Sequence, residues 1–417
     1  MDLNLLQDRS NYFGLRRVNP FQFQTANRIE FGAGAGDRLP EFVAELFFET
    51  PTAPRRCLFV TGKNPDRTRA ARQRLEQAGV LCTVVSIAGE PGVADARAGV
   101  ELARDARCDF VVAIGGGSAL DAGKTIAALA TNSGDPFEYL EVVGAGRPLV
   151  RRGLPLIAIP TTAGTGSEVT RNAVLASPEH QVKVSLRSPL LLPALAIVDP
   201  LLTLSLSPDV TADCGLDALT QVIEPLVSIR ANPLTDALAR EGIRRSARSL
   251  LRAFHEPADV AARTDLCFTS LVGGLALANA GLGAVHGFAG PLGGMFPIPH
   301  GAVCARLLPY VIETNTAVLE GDTNGSRIAP ELRETYLRRF QEVAALLTGR
   351  PNATIAAGVD FIFELCANLA IKPLREFGVR PEDFGRIVTA SKKSSSMRGN
   401  CVELSDQELT EIIERAL

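Results

Sequence analysis

Histidine is scarce in this chain of 417 residues. There are four, and two of them, His286 and His300, fall in one stretch studded with glycine and proline, VHGFAGPLGGMFPIPHG (285–301). An excess of charge of one sign is also lacking. Charged residues make up 21% and the net charge is −3, which offers no general attraction to nucleic acid or to an anionic membrane. The expected partner is therefore a small molecule. None of the eight cysteines, at 57, 82, 108, 214, 267, 304, 366 and 401, stands in a CxxC pair. Most lie within apolar runs, as reduced core thiols do, and that usage suits a cytosol. The opening MDLNLLQDRSNYFGLRRV has no apolar core behind a basic end, and no run of about 18 apolar residues follows, so a soluble, unexported protein is expected. Fixed-period repeats and low-complexity tracts are missing as well.

What the chain does have is core material, 46% apolar residues, in a length beyond the roughly 250–300 residues at which a single core usually stops growing. Two domains follow from that. Before residue 200, short β-branched or apolar runs alternate with segments of helical period: RCLFVTG (56–62), CTVVSI (82–87), DFVVAIGGG (109–117), LPLIAIPTT (154–162) and ALAIVDP (194–200). This alternation predicts βαβ units around a buried parallel sheet. FQFQT and RIEFG, around Ala26–Asn27, predict an introductory hairpin. Beyond Pro200 the strand runs give way to long Ala/Leu-rich segments, which predict helices. EGDTNGSRIAPELRE (320–334) reads as a loop followed by a helix start. The expected fold is thus a two-domain α/β plus all-α protein, with a parallel-sheet nucleotide-binding domain over 1–200 and a helical metal- and substrate-binding domain over 201–417.

VVAIGGGSALDAGKTIA (111–127) runs an apolar strand into three glycines, a serine and an amphipathic helix. Glycines let the backbone approach a phosphate, and the free N–H groups at a helix start favour an anion, so Gly115, Gly116, Gly117 and Ser118 suit a diphosphate. The spacing is neither GxGxxG nor the GxxxxGK[ST] of a phosphate loop, since Gly116 and Gly123 are two positions too far apart for the latter. A kinase or ATPase reading loses ground, while a glycine-rich turn without a ligand stays open. IPTTAGTGSEVTRNAVL (159–175) sets Thr161, Thr162, Thr165 and Ser167 after another strand, where a nucleotide lies in an open α/β domain. Lys183 either reaches a ribose or phosphate or is a solvated charge. His286 and His300 either begin a divalent-metal site or are two hydrogen-bonded buried imidazoles.

With GGGSALDAGK, PTTAGTGSEVT, DALTQVIEP, VHGFAGPLGG and PHG in family order, the chain closely resembles the iron-containing (group III) alcohol dehydrogenases, of the dehydroquinate synthase-like fold. The resemblance covers the chain from about residue 20 to its end. It implies reversible hydride transfer between an alcohol and NAD(P)+, with Gly115, Gly116, Gly117 and Ser118 on the cofactor diphosphate. It also implies that Asp121 lies near the nicotinamide and that Thr161, Thr162, Thr165, Ser167 and Lys183 line the cleft. The family's metal sits on an Asp and a His one helical turn apart and on two histidines 14 positions apart. His286 and His300 have that separation and Asp217 matches the Asp, but the position of the other His is held by Gln221. Residues i and i+4 share a helical face, so Gln221 still points where a ligand is needed. Its amide oxygen is a poorer donor to Fe2+ or Zn2+ than imidazole, which weakens the site without abolishing it. Asp213 and Glu224 reinforce that face or make only solvent and capping contacts.

A second departure is Gly290, where the family often has a histidine implicated in proton movement. No side-chain relay passes through a glycine, so the proton would leave through water and the cofactor ribose. At the end of the first long strand, Gly62 precedes Lys63, Asn64 and Arg67, where an acidic residue would repel a 2′-phosphate. The expected cofactor is NADP(H) or NAD(H), with the first favoured on phosphate pairing. A small alcohol or aldehyde, a homodimer or larger homo-oligomer, and no nucleic-acid or membrane partner complete the expectation.

The runner-up is a metal-independent maleylacetate reductase-like enzyme. A dehydroquinate synthase-type lyase would need a polyanion site that the apolar region around His286 does not provide. A non-catalytic nucleotide-binding protein would leave the survival of Asp217, His286 and His300 unexplained. Cys304, four residues after His300, either faces the metal from a helix or packs in the core; His180 and His255 read as exposed, and SKKSSSMRGN (391–400), whose basic and hydroxyl groups resemble an anion loop, as a helix terminus far from the cofactor motifs in sequence. Phe288, Leu292, Met295 and Phe296 are either a substrate pocket or core.

Overall fold

The computed structural model describes residues 20–47, 54–141, 143–180 and 182–417. A six-stranded sheet is built from β1 (Ile29–Phe31), β2 (Arg56–Gly62), β3 (Leu81–Ile87), β4 (Phe110–Gly115), β5 (Leu156–Pro160) and β8 (Leu195–Val198). Its order is β1-β8-β5-β4-β2-β3 and every neighbouring pair is parallel. The five predicted strand runs therefore all form sheet strands.

Their side chains divide by the two-residue period of a strand. Leu58, Val60, Val111, Ala113, Leu156 and Ala158 face one way, toward α3 (Val93–Asp105) and α4 (Gly117–Thr131). Phe59, Phe110, Val112, Ile114, Ile157 and Ile197 face the other, toward α1 (Leu39–Leu46) and α2 (Arg69–Gln77). Burial on both faces explains why these strands read as continuous apolar runs and not as alternating ones.

The predicted introductory hairpin does not form. FQFQT is irregular, and the backbone N–H and C=O of Gln24 bond the side-chain amide of Asn279 at 2.6 and 2.9 Å. β1 instead pairs in parallel with β8, with Ile29 opposite Ala196. A side chain far along the sequence thus satisfies the backbone groups that a hairpin partner would have taken. An antiparallel pair, β6 (Asn172–Ser177) and β7 (Val182–Arg187), lies outside the predicted strand runs, and its Leu175 and Leu186 cover the α4 side of the sheet.

From Pro208 onward the structure is helical: α5 (Pro208–Val227), α6 (Pro233–His255), α7 (Val260–Ala280), α8 (Ala284–Met295), α9 (His300–Gly321), α10 (Pro330–Thr348), α11 (Ile355–Asn368), α12 (Phe384–Lys392) and α13 (Asp406–Ala416). The loop and helix start predicted for 320–334 lie between α9 and α10. α5 starts cleanly because Ser207 caps it, accepting from the Val210 N–H, and Pro208 supplies the preset φ of a first helical turn. Among the described residues α7 alone is long and apolar enough to cross a membrane, and 72% of its most apolar window is buried inside the protein, as in a core helix.

Candidate active site

In an open parallel sheet, a ligand crevice forms where successive crossovers leave in opposite directions. Here β2 connects outward to β3, and β3 returns across β2 to β4, so the switch point lies between the C-terminal ends of β2 and β4. Gly62 ends β2 and Gly115 ends β4. A Cβ added to Gly115 would lie 3.4 Å from the Gly62 nitrogen, one on Gly116 3.5 Å from Thr162, and one on Gly117 2.9 Å from Thr165. Three loops therefore meet with glycine at each contact. Gly116, Gly117, Ser118, Thr161, Thr162 and Thr165 are all part-exposed along the resulting crevice, and α4 opens there with its free N–H groups.

Asp121, Ser167 and Lys183 lie differently. The Asp121 carboxylate accepts from the Ser167 hydroxyl and from the Val174 N–H, and Lys124 stands 3.5 Å away. Lys124 is buried and donates to Ser167, Thr170 and the Asn172 carbonyl at 2.7–2.9 Å. Asp121 and the Ser167 hydroxyl are thus committed to tying α4 to the second glycine loop and β6. Lys183, on β7, pairs with Glu90 at 3.1 Å and lies against Gly293 of α8.

Glu168, beside this network, is buried with neither carboxylate oxygen hydrogen-bonded, and burial raises its pKa to about 7. Between its ordinary value of 4.5 and about 7 the native state holds a proton that the unfolded chain has lost. Stability therefore falls as pH rises through that window and does not recover above it. Glu168→Gln should remove this dependence. The melting temperature of the variant relative to the parent is expected to rise between about pH 5 and about pH 8. An unchanged difference would mean that Glu168 is ionised throughout.

The second half of the site is assembled from three helices. Asp217 of α5, His286 of α8, and His300 and Cys304 of α9 place one donor atom each within 4.8 Å of one another. His286 Nε2 lies 3.2 Å from Asp217 Oδ1, and His300 Nε2 lies 3.8 Å from the same oxygen. The Cys304 sulfur is 3.7 Å from His286 Nε2 and 3.8 Å from His300 Nε2. Cys304 is fully buried in the core, and its sulfur faces both imidazoles, because the i, i+4 spacing puts it above His300 on α9.

Glu224 lies behind His286. One carboxylate oxygen meets His286 Nδ1 at 2.6 Å and the other accepts from the Val285 N–H at 2.7 Å, which holds the ring with Nε2 toward Asp217. Burial alone would lower the His286 pKa, but Cys304, Glu224 and Asp217 outweigh it and the pKa stands well above 6.5. Burial would likewise raise Asp217, but His300 and the His286 hydrogen bond bring it below its usual value. Asp213, one turn earlier, is half-buried outside the donor group.

Gln221 is buried, and its amide nitrogen donates to the Gly164 carbonyl at 2.7 Å. It therefore ties the second glycine loop to the helix bearing Asp217, a contact invisible in the sequence. The stretch 391–400 holds the end of α12, the helix terminus expected of it, and then packs beside α8. Met397 packs against Gly287, and Asn400 accepts from the Ala284 N–H at the start of α8. Gly290 borders open space, Phe288 and Leu292 are core, and Met295 and Phe296 are part-exposed. His180 and His255 are exposed, as expected. A concavity of about 620 Å3 near the last turns of α9 and α13 involves Glu313, Asp322 and Arg415; it lies roughly 20–30 Å along α9 from His300 and is separate from this site.

A parallel-sheet domain with a glycine-lined crevice is followed by a helical domain that gathers carboxylate, imidazole and thiol donors, a two-domain α/β plus all-α arrangement. Residues 26–200 match the iron-containing alcohol dehydrogenase family, and residues 211–417 match the Fe-containing alcohol dehydrogenase family, C-terminal part. Alcohol dehydrogenase 4 of Saccharomyces cerevisiae is 36% identical over 326 residues, covering 78% of this chain and 80% of its own. The 1,3-propanediol dehydrogenase of Citrobacter freundii is 35% identical over 344 residues, 82% of this chain and 85% of its own. A crystal structure of 1,3-propanediol oxidoreductase superposes with a TM-score of 0.85 at 31% identity, covering 96% of this chain and all of that one. The chain belongs to the iron-containing alcohol dehydrogenase family, and it is an oxidoreductase acting on CH–OH groups. The family takes NAD(H) and a divalent metal, usually iron.

Proposed function

We propose that this enzyme interconverts a small alcohol and its aldehyde with NADP(H) or NAD(H), the dinucleotide lying in the crevice of Gly62, Gly115, Gly116, Gly117, Ser118, Thr161, Thr162 and Thr165. One observation carries the reading: Gln221 bonds the loop of Thr162 and Thr165 to the helix of Asp217, which seats the glycine crevice beside the donor cluster. Asp217, His286 and His300 would hold the divalent ion, and their donor spacing of 3.2–3.8 Å fits one. When bound, such an ion supplies Lewis-acid polarisation of the substrate oxygen. Glu224 orients His286, and His300, with 39% of its side chain exposed, forms the wall next to the substrate. Gly290 contributes no relay, so the proton leaves through cleft water and the cofactor ribose. Part-exposed Met295 and Phe296 favour a small, partly apolar substrate. The same reading divides the chain near residue 200 and makes it a cytoplasmic homo-oligomer.

For NADP(H) the support is local. Nothing lies within 4 Å of a Cβ placed on Gly62, and Lys63 and Arg67 beyond it are exposed. Gly62→Asp should lower the ratio of kcat/KM for NADPH to that for NADH by about tenfold or more, since a carboxylate there repels a 2′-phosphate and accepts from a 2′-hydroxyl. An unchanged ratio would place the adenosine ribose elsewhere.

The direct test is elemental analysis of protein purified without oxygen or chelator, paired with NADPH-dependent aldehyde reduction before and after metal removal. Stoichiometric metal, with activity lost on removal and regained on return, supports the reading. Full activity in metal-free protein would overturn it in favour of a metal-independent reductase.

A further inference from the structure

We infer that Cys304 is the fourth protein donor of the metal centre, taking as a thiolate the place that Gln221 leaves unfilled by an imidazole. The inference rests on the metal-dependent reading above and concerns which residues complete the site. Bond lengths of about 2.3 Å to sulfur and about 2.0–2.1 Å to nitrogen, in tetrahedral arrangement, set donor atoms roughly 3.3–3.6 Å apart. Four separations among Asp217, His286, His300 and Cys304 are 3.2, 3.7, 3.8 and 3.8 Å. Small side-chain adjustments are enough to bring all four atoms onto one ion.

Gln221 fills that role poorly. Its amide is neutral, and with the nitrogen held by the Gly164 carbonyl it offers a metal only an uncharged oxygen, a weaker donor than imidazole or thiolate. A thiolate adds a negative charge and a soft donor, and the centre becomes one carboxylate, two imidazoles and one sulfur. Such a set favours zinc-like ions over harder ones. On binding, a metal–sulfur bond forms, the Sγ–H proton passes to solvent, and no atom changes oxidation state. Four protein donors admit a substrate only as a fifth neighbour. The part-exposed side of His300 is where that approach is open.

The experiment is X-ray absorption at the zinc edge on the zinc-loaded full-length protein. The parent should show one sulfur neighbour at about 2.3 Å beside nitrogen and oxygen neighbours near 2.0–2.1 Å. In Cys304→Ser the sulfur neighbour should vanish, and zinc retention against a chelator should weaken by more than about tenfold. In Gln221→Ala the sulfur neighbour should persist. A parent spectrum with nitrogen and oxygen alone would overturn the inference and leave the metal site standing. A protein that takes up no zinc, cobalt or iron would overturn both. The parent spectrum decides the matter even if Cys304→Ser fails to fold, and a sulfur-to-cobalt charge-transfer band in the cobalt-loaded parent is an independent readout.

Discussion

His286→Ala is expected to lower kcat/KM for alcohol oxidation by about a thousandfold. Polarisation of a substrate oxygen by a metal contributes several kcal/mol, and each ~1.4 kcal/mol is a factor of ten. His286 stands at the centre of the donor cluster: its Nε2 lies 3.2 Å from Asp217 and 3.7 Å from Cys304, and its Nδ1 lies 2.6 Å from Glu224. Its removal would delete one donor and leave Glu224 buried without its ring partner. A loss of about 3 kcal/mol in stability should accompany the loss of rate, as when one member of a buried charged pair is removed. The measurements are kcat/KM, metal content, and dinucleotide affinity by NADPH fluorescence. Turnover and metal lost with cofactor affinity retained would place the effect in the helical half of the site. A decrease in kcat/KM of less than tenfold would show that His286 is not at the reacting centre.

Gly166→Ala should be strongly damaging, with about 3 kcal/mol lost from stability. Gly166 has φ +59°, and an added Cβ would lie 2.5 Å from the Ser270 carbonyl oxygen and 2.6 Å from the backbone of Gly274. Conversely, a Cβ on Gly274 would lie 2.3 Å from the Gly166 carbonyl oxygen. Two backbones touch here, and neither can yield as a flexible side chain can. Overpacking costs about 1–3 kcal/mol, and the left-handed conformation adds about 1–2 kcal/mol for a residue with a Cβ. This contact seats the loop of Thr162 and Thr165 on α7, so the KM for the cofactor should rise along with the loss in denaturant midpoint. Gly274→Ala should behave alike, and the double variant should fall short of the sum because both act on one contact. If Gly166→Ala keeps the parent's midpoint, the loop is not seated on α7 by this approach.

Much of the architecture was legible because its signals are local. A strand buried on both faces must be a continuous apolar run, and RCLFVTG became β2 over the same seven residues. What was not legible shares a cause. FQFQT looked like half of a hairpin, but its backbone partners come from Asn279, 255 positions away from Gln24. Cys304 could be read from its spacing either toward the metal or into the core; that its sulfur meets two imidazoles depends on how α9 packs against α5 and α8. Gln221 reads in the sequence as a weakened ligand on the face of Asp217, and what the sequence does not carry is its hydrogen bond to Gly164, which joins that helix to the second glycine loop. The stretch 391–400 carried no sequence signal for its proximity to His286, since Met397 and Asn400 act through backbone gaps and caps at Gly287 and Ala284.

By itself, then, the sequence determined the order of sheet and helices, the glycine turns, the pairing of His286 with His300 at 14 positions, and the family. These rest on period, on backbone freedom and on motif order, all of which are written along the chain. The tertiary structure alone decided which donor atoms converge, that Glu224 orients His286, that Asp121 and Ser167 are committed to a buried lysine, and that the thiol one turn after His300 also reaches His286. Convergence of this kind is set by helix packing, which brings together side chains tens of residues apart and leaves no local pattern by which to read it.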